Sequence, residues 1–224
     1  MRLRFIVAVV LAWRSLPAQA VDVAYPLRSG TRWVYHLRDE YAPGTHSSPR
    51  IEALMRGQVL DVDLEDRVAG SDRVGDAEYA RVESTVNGQP HLVVWLRLAP
   101  DGLYMGKTYE PDGSDEHVMK PPQRVLSDSL QKGESWTWQQ SEEQVTVRTH
   151  IWGPSRVNVP AGTFDATLVE TELTAGKPAQ GIRSSARRWF VPGTGFVKIE
   201  LQTSVGGRRV EHMTQELKRF EPAG

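Results

Sequence analysis

The chain has 224 residues, 39% hydrophobic and 25% charged, with 27 Lys and Arg against 28 Asp and Glu and no cysteine. This composition is globular and excludes disordered, collagen-like and multi-span membrane classes. Without cysteine there are no disulfides, thiolate nucleophiles, thiolate zinc sites or iron–sulfur clusters. Balanced charge without a long run of one sign gives no nucleic-acid footprint.

The N-terminus reads as a secretory signal peptide. Arg2 and Arg4 precede an apolar run over 5–13, and Ala18-Gln19-Ala20 supplies small residues for cleavage near Ala20. The run is shorter than the ~18 residues that cross a bilayer, so no integral membrane span is expected. No cysteine follows, so a lipid-modified anchor is not expected either. The expected location is exported, periplasmic or secreted.

A pattern then recurs. Leu27-Arg28-Ser29-Gly30-Thr31-Arg32-Trp33-Val34-Tyr35 reappears as Leu130-Gln131-Lys132-Gly133-Glu134-Ser135-Trp136-Thr137-Trp138. Gly75, with Val82-Glu83-Ser84 after it, matches Gly162 with Val169-Glu170-Thr171, and Trp95 with Gly102 matches Trp189 with Gly195. Three landmarks in the same order suggest a duplicated unit. The expected organisation is a signal peptide over 1–20, a first β unit over 21–120 and a second over 121–224, divided at Pro121-Pro122.

In chain order, Leu60, Val62 and Leu64 alternate with Asp61, Asp63 and Glu65, the period of a strand with one wet face. Strands are expected over 79–86 and 91–98, joined by the hairpin signal Asn87-Gly88. A short helix is expected over 124–130. Val145, Val147, Thr149 and Ile151 alternate with polar residues, and strands follow over 167–174, 182–191 and 197–202. Gly206-Gly207 turns into a last strand over 209–220, whose Met213, Leu217 and Phe220 also fit a helix face. The fold class is mainly β: tandem duplicated units of curved antiparallel sheet, half-barrel or sandwich-like, with few short helices. Whether the units share one core stays open.

The aromatics read as architecture. Trp33 with Tyr35 and Trp136 with Trp138 recur at equivalent positions, and Trp95 and Trp189 recur likewise, which favours a structural role for all five tryptophans. Val159-Pro160-Ala161-Gly162-Thr163-Phe164 is a strand corner that drops Phe164 into the core, and Gly193 and Gly195 mark a second corner. Trp152 shares a face with Arg148 and His150, opposite Val147 and Ile151. It is either available to a ligand or partner or tucked under a loop.

The run Val159 to Phe164, an alternating strand, and then Trp189-Phe190-Val191-Pro192-Gly193-Thr194-Gly195-Phe196-Val197-Lys198 resemble a family of exported bacterial envelope proteins of unknown function. That family is distantly similar to half-barrel proteins that carry lipoproteins. The resemblance is specific over 126–201 and weak over 25–110. It implies an envelope location and a curved antiparallel sheet, and brings no catalytic residues.

Chemistry finds little purchase. His36, His46, His91, His117, His150 and His212 are scattered, with no pair at a metal-ligand spacing, so no metal is expected. The acidic loop over 112–117 lacks the ligands of a calcium loop and reads as solvated. Asp61, Asp63 and Glu65 are expected to meet Arg81 and Arg97 on an opposing strand. Ser184 and Ser185 sit on no strained elbow, and no Gly-x-Ser-x-Gly occurs. No cofactor is implied. Arg183, Arg187 and Arg188, with Arg208 and Arg209, form the basic concentration: either an edge strand guarded by charge or a patch for an anionic partner, with Arg183 and Arg187 on one face and Arg188 on the other.

Three readings follow: a non-catalytic envelope binding or assembly module whose partner is an apolar ligand or an envelope protein, a structural accessory of a larger envelope complex, and a glycan or cell-wall hydrolase. The absence of an assembled reaction signature favours the first. If the paired aromatics hold the core, Trp33→Ala and Trp136→Ala each lower unfolding free energy by about 3–5 kcal/mol. Unchanged melting temperatures in both variants contradict the assignment.

Overall fold

The computed structural model describes residues 24–45, 49–111, 115–141, 144–176 and 181–224. The expected signal peptide, His46 and residues 112–114 of the acidic loop lie outside these residues, and 115–117 of that loop begin a strand paired in the sheet. Twelve strands and one short helix follow in chain order. They are β1 (Arg32–Tyr41), α1 (Pro49–Glu52), β2 (Val59–Val74), β3 (Ala77–Val86), β4 (Gln89–Ala99), β5 (Gly102–Glu110) and β6 (Asp115–Ser127). Then come β7 (Ser135–Gln140), β8 (Val145–Val159), β9 (Gly162–Ala175), β10 (Ile182–Val191), β11 (Gly195–Val205) and β12 (Arg208–Glu221).

All twelve strands lie in one sheet, ordered β6-β5-β4-β3-β2-β1-β12-β11-β10-β9-β8-β7, with every neighbouring pair antiparallel. Two six-strand meanders thus join through β1 and β12. Period-two burial runs through the sheet: Trp33, Tyr35 and Leu37 of β1 are buried on one face, together with Leu60 and Leu64 of β2. Leu217 of β12, Phe190 of β10 and Ile151 of β8 join them in a single hydrophobic cluster.

Turn chemistry accounts for the tight hairpins. Asn87 and Gly88 both take positive φ, 50° and 74°, which matches the twist of β3 and β4. Gly102 opens β5 so close to β6 that a Cβ there would stand 2.0 Å from the Leu126 carbonyl oxygen, and only glycine fits.

The ends of the sheet meet. The Trp136 indole N–H donates to the Arg124 carbonyl at 2.9 Å, and that of Trp138 to the Pro121 carbonyl at 2.7 Å. Arg124 covers the Trp136 ring at 5.0 Å and pairs with Glu134 at 3.4 Å. The sheet is therefore a nearly closed barrel, its seam between β6 and β7 bridged by side chains where a ladder would otherwise run. Pro121 and Pro122 have no N–H to offer such a ladder.

Several expectations are corrected. The helix expected over 124–130 is the end of β6 and the turn after it, because Gly102 to Met105 pair with Ser127 to Gln123. Pro121-Pro122 does not interrupt the strand. The register slips between Met105 and Lys107, leaving 119–122 outside the ladder as a bulge on an end strand, where proline is tolerated. The strand expected over 209–220 is observed as β12, and the helical alternative for it does not hold. Asp61, Asp63 and Glu65 meet cations from β1 and β12 instead of β3 and β4: Arg38 at 3.5 Å, Lys218 at 2.7 Å and Arg32 at 2.7 Å. Arg81 pairs with Asp72 and Glu83 instead.

Replacing Trp136 and Trp138 together by Phe keeps ring packing but removes both indole donors. Hydrogen exchange of β6 and β7 amides is expected to accelerate by about tenfold or more while the β1–β12 joint stays protected. Uniform acceleration across the barrel, or none, contradicts a side-chain-held seam.

Candidate functional site

The strongest candidate site is the barrel interior. A cavity of about 340 Å³ is lined by residues from β1 to β6 and β8 to β12, together with Tyr25. Leu37, Leu64, Val82, Leu92, Val94, Leu96, Met105 and Val125 are among its apolar lining. The strand period places them there, since alternate residues of a strand face one side of the sheet. Tyr25 precedes β1, and its ring stacks on Phe190 at 6.1 Å and lies 5.9 Å from both Trp33 and Phe196. Desolvation raises its phenol above the usual tyrosine range.

Two charges enter this apolar chamber. Asp66 continues the inward face of Leu60, Val62 and Leu64 on β2. Its carboxylate accepts a hydrogen bond from the Ser84 hydroxyl at 2.6 Å, and burial pushes its pKa up to about 6. Arg188 continues the inward face of Ala186 on β10. Its guanidinium donates to Thr171 Oγ1 at 2.8 Å, and burial holds it below the usual arginine range, still cationic. Among the described residues no carboxylate lies within ion-pair distance of Arg188. Ser84 and Thr171 close the recurring Val-Glu-Ser and Val-Glu-Thr triplets, so the same strand position in each meander holds that meander's buried charge.

The residues singled out from sequence lie elsewhere. Trp152 is on the outer face, 51% exposed, its indole N–H donating to Glu170 at 2.7 Å. The His150 ring meets it edge-on at 4.6 Å, and His150 Nδ1 lies 2.7 Å from the Ser135 hydroxyl. Arg148 borders the same shallow depression as His150 and Trp152, and a neighbouring one that it shares with Arg183 and Glu172. Arg187 pairs with Glu200 at 3.3 Å and covers the Trp189 ring at 5.0 Å. The outer face thus brings Trp152, His150 and Arg148 together, with Glu170 and Glu172 of β9 standing between them and Arg183 and Arg187. Because β10 pairs with both β9 and β11, the edge-strand account of its arginines does not hold.

Trp33 is 1% exposed and donates to the Thr194 carbonyl at 2.6 Å, while Trp136 is half-buried at the seam and Trp138 is buried. Trp95 and Trp189 are buried on the outer side, opposite the lumen-facing Leu96 and Arg188. Lys107 lies 4.5 Å over Trp95, and Lys198 5.6 Å over Trp189. Gly162 opens β9 with φ 134°, and Phe164 packs half-buried against the core. Gly193 donates its N–H to the Ala24 carbonyl at 2.7 Å, and Gly195 lies under Trp33 and Tyr25. Among the described residues no group of three or more His, Asp or Glu is placed to hold a metal ion, and no helix is long and apolar enough to cross a membrane.

No protein-family model matches this sequence, and no curated protein matches it significantly. Among solved structures, the chain is similar to a candidate lipoprotein from Parabacteroides distasonis at 13% identity, covering 91% of this chain and 100% of that one, with a TM-score of 0.47. It is similar to an exported protein with a YmcC-like fold from Bacteroides fragilis at 14% identity, covering 89% and 99%, with a TM-score of 0.47. It is also similar to the hypothetical lipoprotein YmcC from Escherichia coli at 11% identity, covering 85% and 86%, with a TM-score of 0.35.

The raised pKa of Asp66, about 6 against an ordinary 3.8, has a signed consequence. Between these values the folded chain binds more protons than the unfolded one, so the contribution is greatest below about pH 4 and is lost as pH rises through about 6. Asp66→Asn therefore raises the melting temperature at about pH 7 and has little effect near pH 4. Asp39, also raised to about 6 by burial, keeps its own share of the slope in this variant. A variant no more stable than wild type at neutral pH contradicts the buried, uncompensated carboxylate.

Proposed function

We propose that this protein is a non-catalytic exported binding module that holds an apolar ligand inside its barrel. The observation that carries the reading is the 340 Å³ cavity with largely aliphatic walls. That is within the size range of small-molecule sites, in which an apolar lining and a few convergent polar groups are usual. The leader-like N-terminus supports export to the envelope. The recurring landmarks, falling at matching strand positions of the two meanders, support an origin by duplication of one β unit.

An envelope-protein partner is the second reading, favoured by the end strands β6 and β7, each hydrogen-bonded to a single neighbour in the sheet. An extended segment inserted at such an edge gains a ladder.

Filling the chamber separates the two. Val94→Phe and Val125→Phe each add bulk to the wall at half-buried positions, at a cost of about 1–3 kcal/mol. Binding of N-phenylnaphthylamine to the purified protein is expected in wild type and to weaken by about tenfold in either variant. Dye binding that survives both substitutions contradicts a luminal site.

A further inference from the structure

The Arg188 guanidinium, half-buried in the lumen wall, narrows the ligand's chemistry, given that the lumen is the binding site. A charge withdrawn from water is costly unless it is paired and hydrogen-bonded. Among the described residues the Arg188 side chain makes one hydrogen bond, to the neutral hydroxyl of Thr171. The other luminal charge, Asp66, accepts from Ser84 and is not within ion-pair distance of Arg188. The two opposite charges thus share a chamber without neutralising each other. The guanidinium is a planar fork whose donors match the two oxygens of a carboxylate.

We infer that the lumen takes a single-chain amphiphile with a monoanionic carboxylate head, the head on Arg188 and the alkyl chain along the aliphatic wall. Leu64, Val82, Val94, Leu96 and Met105 supply that wall, and the Tyr25 phenol is within electrostatic range of Arg188 to help seat the head. Asp66, the negative group of the same lumen, repels a dianionic head such as a phosphate monoester more than a monoanionic one. No bond is made or broken; the ligand is held and released.

The test is titration calorimetry of the purified protein at neutral pH with dodecanoate, dodecanol and dodecyl phosphate. Dodecanoate is expected to bind about tenfold or more tightly than dodecanol, and more tightly than dodecyl phosphate. Arg188→Gln should bring dodecanoate down to the level of dodecanol while leaving dodecanol unchanged, and Arg188→Lys should keep much of the carboxylate preference. Equal affinity for dodecanoate and dodecanol in wild type overturns the carboxylate assignment but leaves the apolar lumen intact, and so does a preference that persists in Arg188→Gln. The wild-type comparison decides the point even where Arg188→Gln fails to fold. Tighter binding of dodecyl phosphate replaces the monoanion with a dianion and overturns the role given to Asp66. Failure of all three amphiphiles, together with failure of N-phenylnaphthylamine, overturns the luminal site itself.

Discussion

The geometry of this molecule follows from how many strands surround one interior. About eight strands enclose a space that side chains can fill, and about sixteen leave a water-filled channel. Twelve fall between. Aromatic rings fill part of the interior, where Tyr25, Trp33, Phe190 and Phe196 make ring contacts at about 6 Å. Aliphatic side chains line a remaining volume they do not fill. Everything functional argued for this chain rests on that mismatch between circumference and side-chain bulk.

The two meanders handle the same physical problems with the same devices. Each buries a tryptophan on its outer side beneath a lysine from the next strand: Lys107 over Trp95 in one, Lys198 over Trp189 in the other. The ammonium sits over the ring face, and Glu116 or Glu200 and Glu216 answer its charge. Each also has a hydroxyl at the matching inward position, and there the symmetry breaks chemically. Ser84 donates to a carboxylate and Thr171 accepts from a guanidinium. A scaffold with matching halves thereby acquires an interior with a negative and a positive side, the kind of polarity that orients an amphiphile.

Much of the scaffold was legible in the sequence because strand period and turn residues act locally. β3, β4, β10 and β12 were expected within a few residues, and Asn87-Gly88 and Gly206-Gly207 marked their hairpins. β5 was not among the expected strands, and it carries two glycines, Gly102 and Gly106. In the fold the first lets β5 approach β6, and the second lies beneath the Tyr79 ring, 2.6 Å from where a Cβ would be. The seam was illegible, since strand closure depends on the summed curvature of twelve strands and leaves no local signature.

The site was harder to read. The residues conspicuous in the sequence, such as Trp152, Arg183 and Arg187, lie on the outer face. Yet a signal for the interior was present. Asp66 falls on the inward register of Leu60, Val62, Leu64 and Val68, and Arg188 on that of Ala186 and Phe190. A charged residue at an apolar register is the informative anomaly, and here it was hidden inside the charged runs Glu65-Asp66-Arg67 and Arg187-Arg188. Native mass spectrometry of the protein purified without detergent from the cells that make it tests the luminal account most directly. The account predicts a retained mass on the order of a few hundred daltons that leaves on mild denaturation; a protein that flies at its bare polypeptide mass under conditions that keep it folded contradicts it.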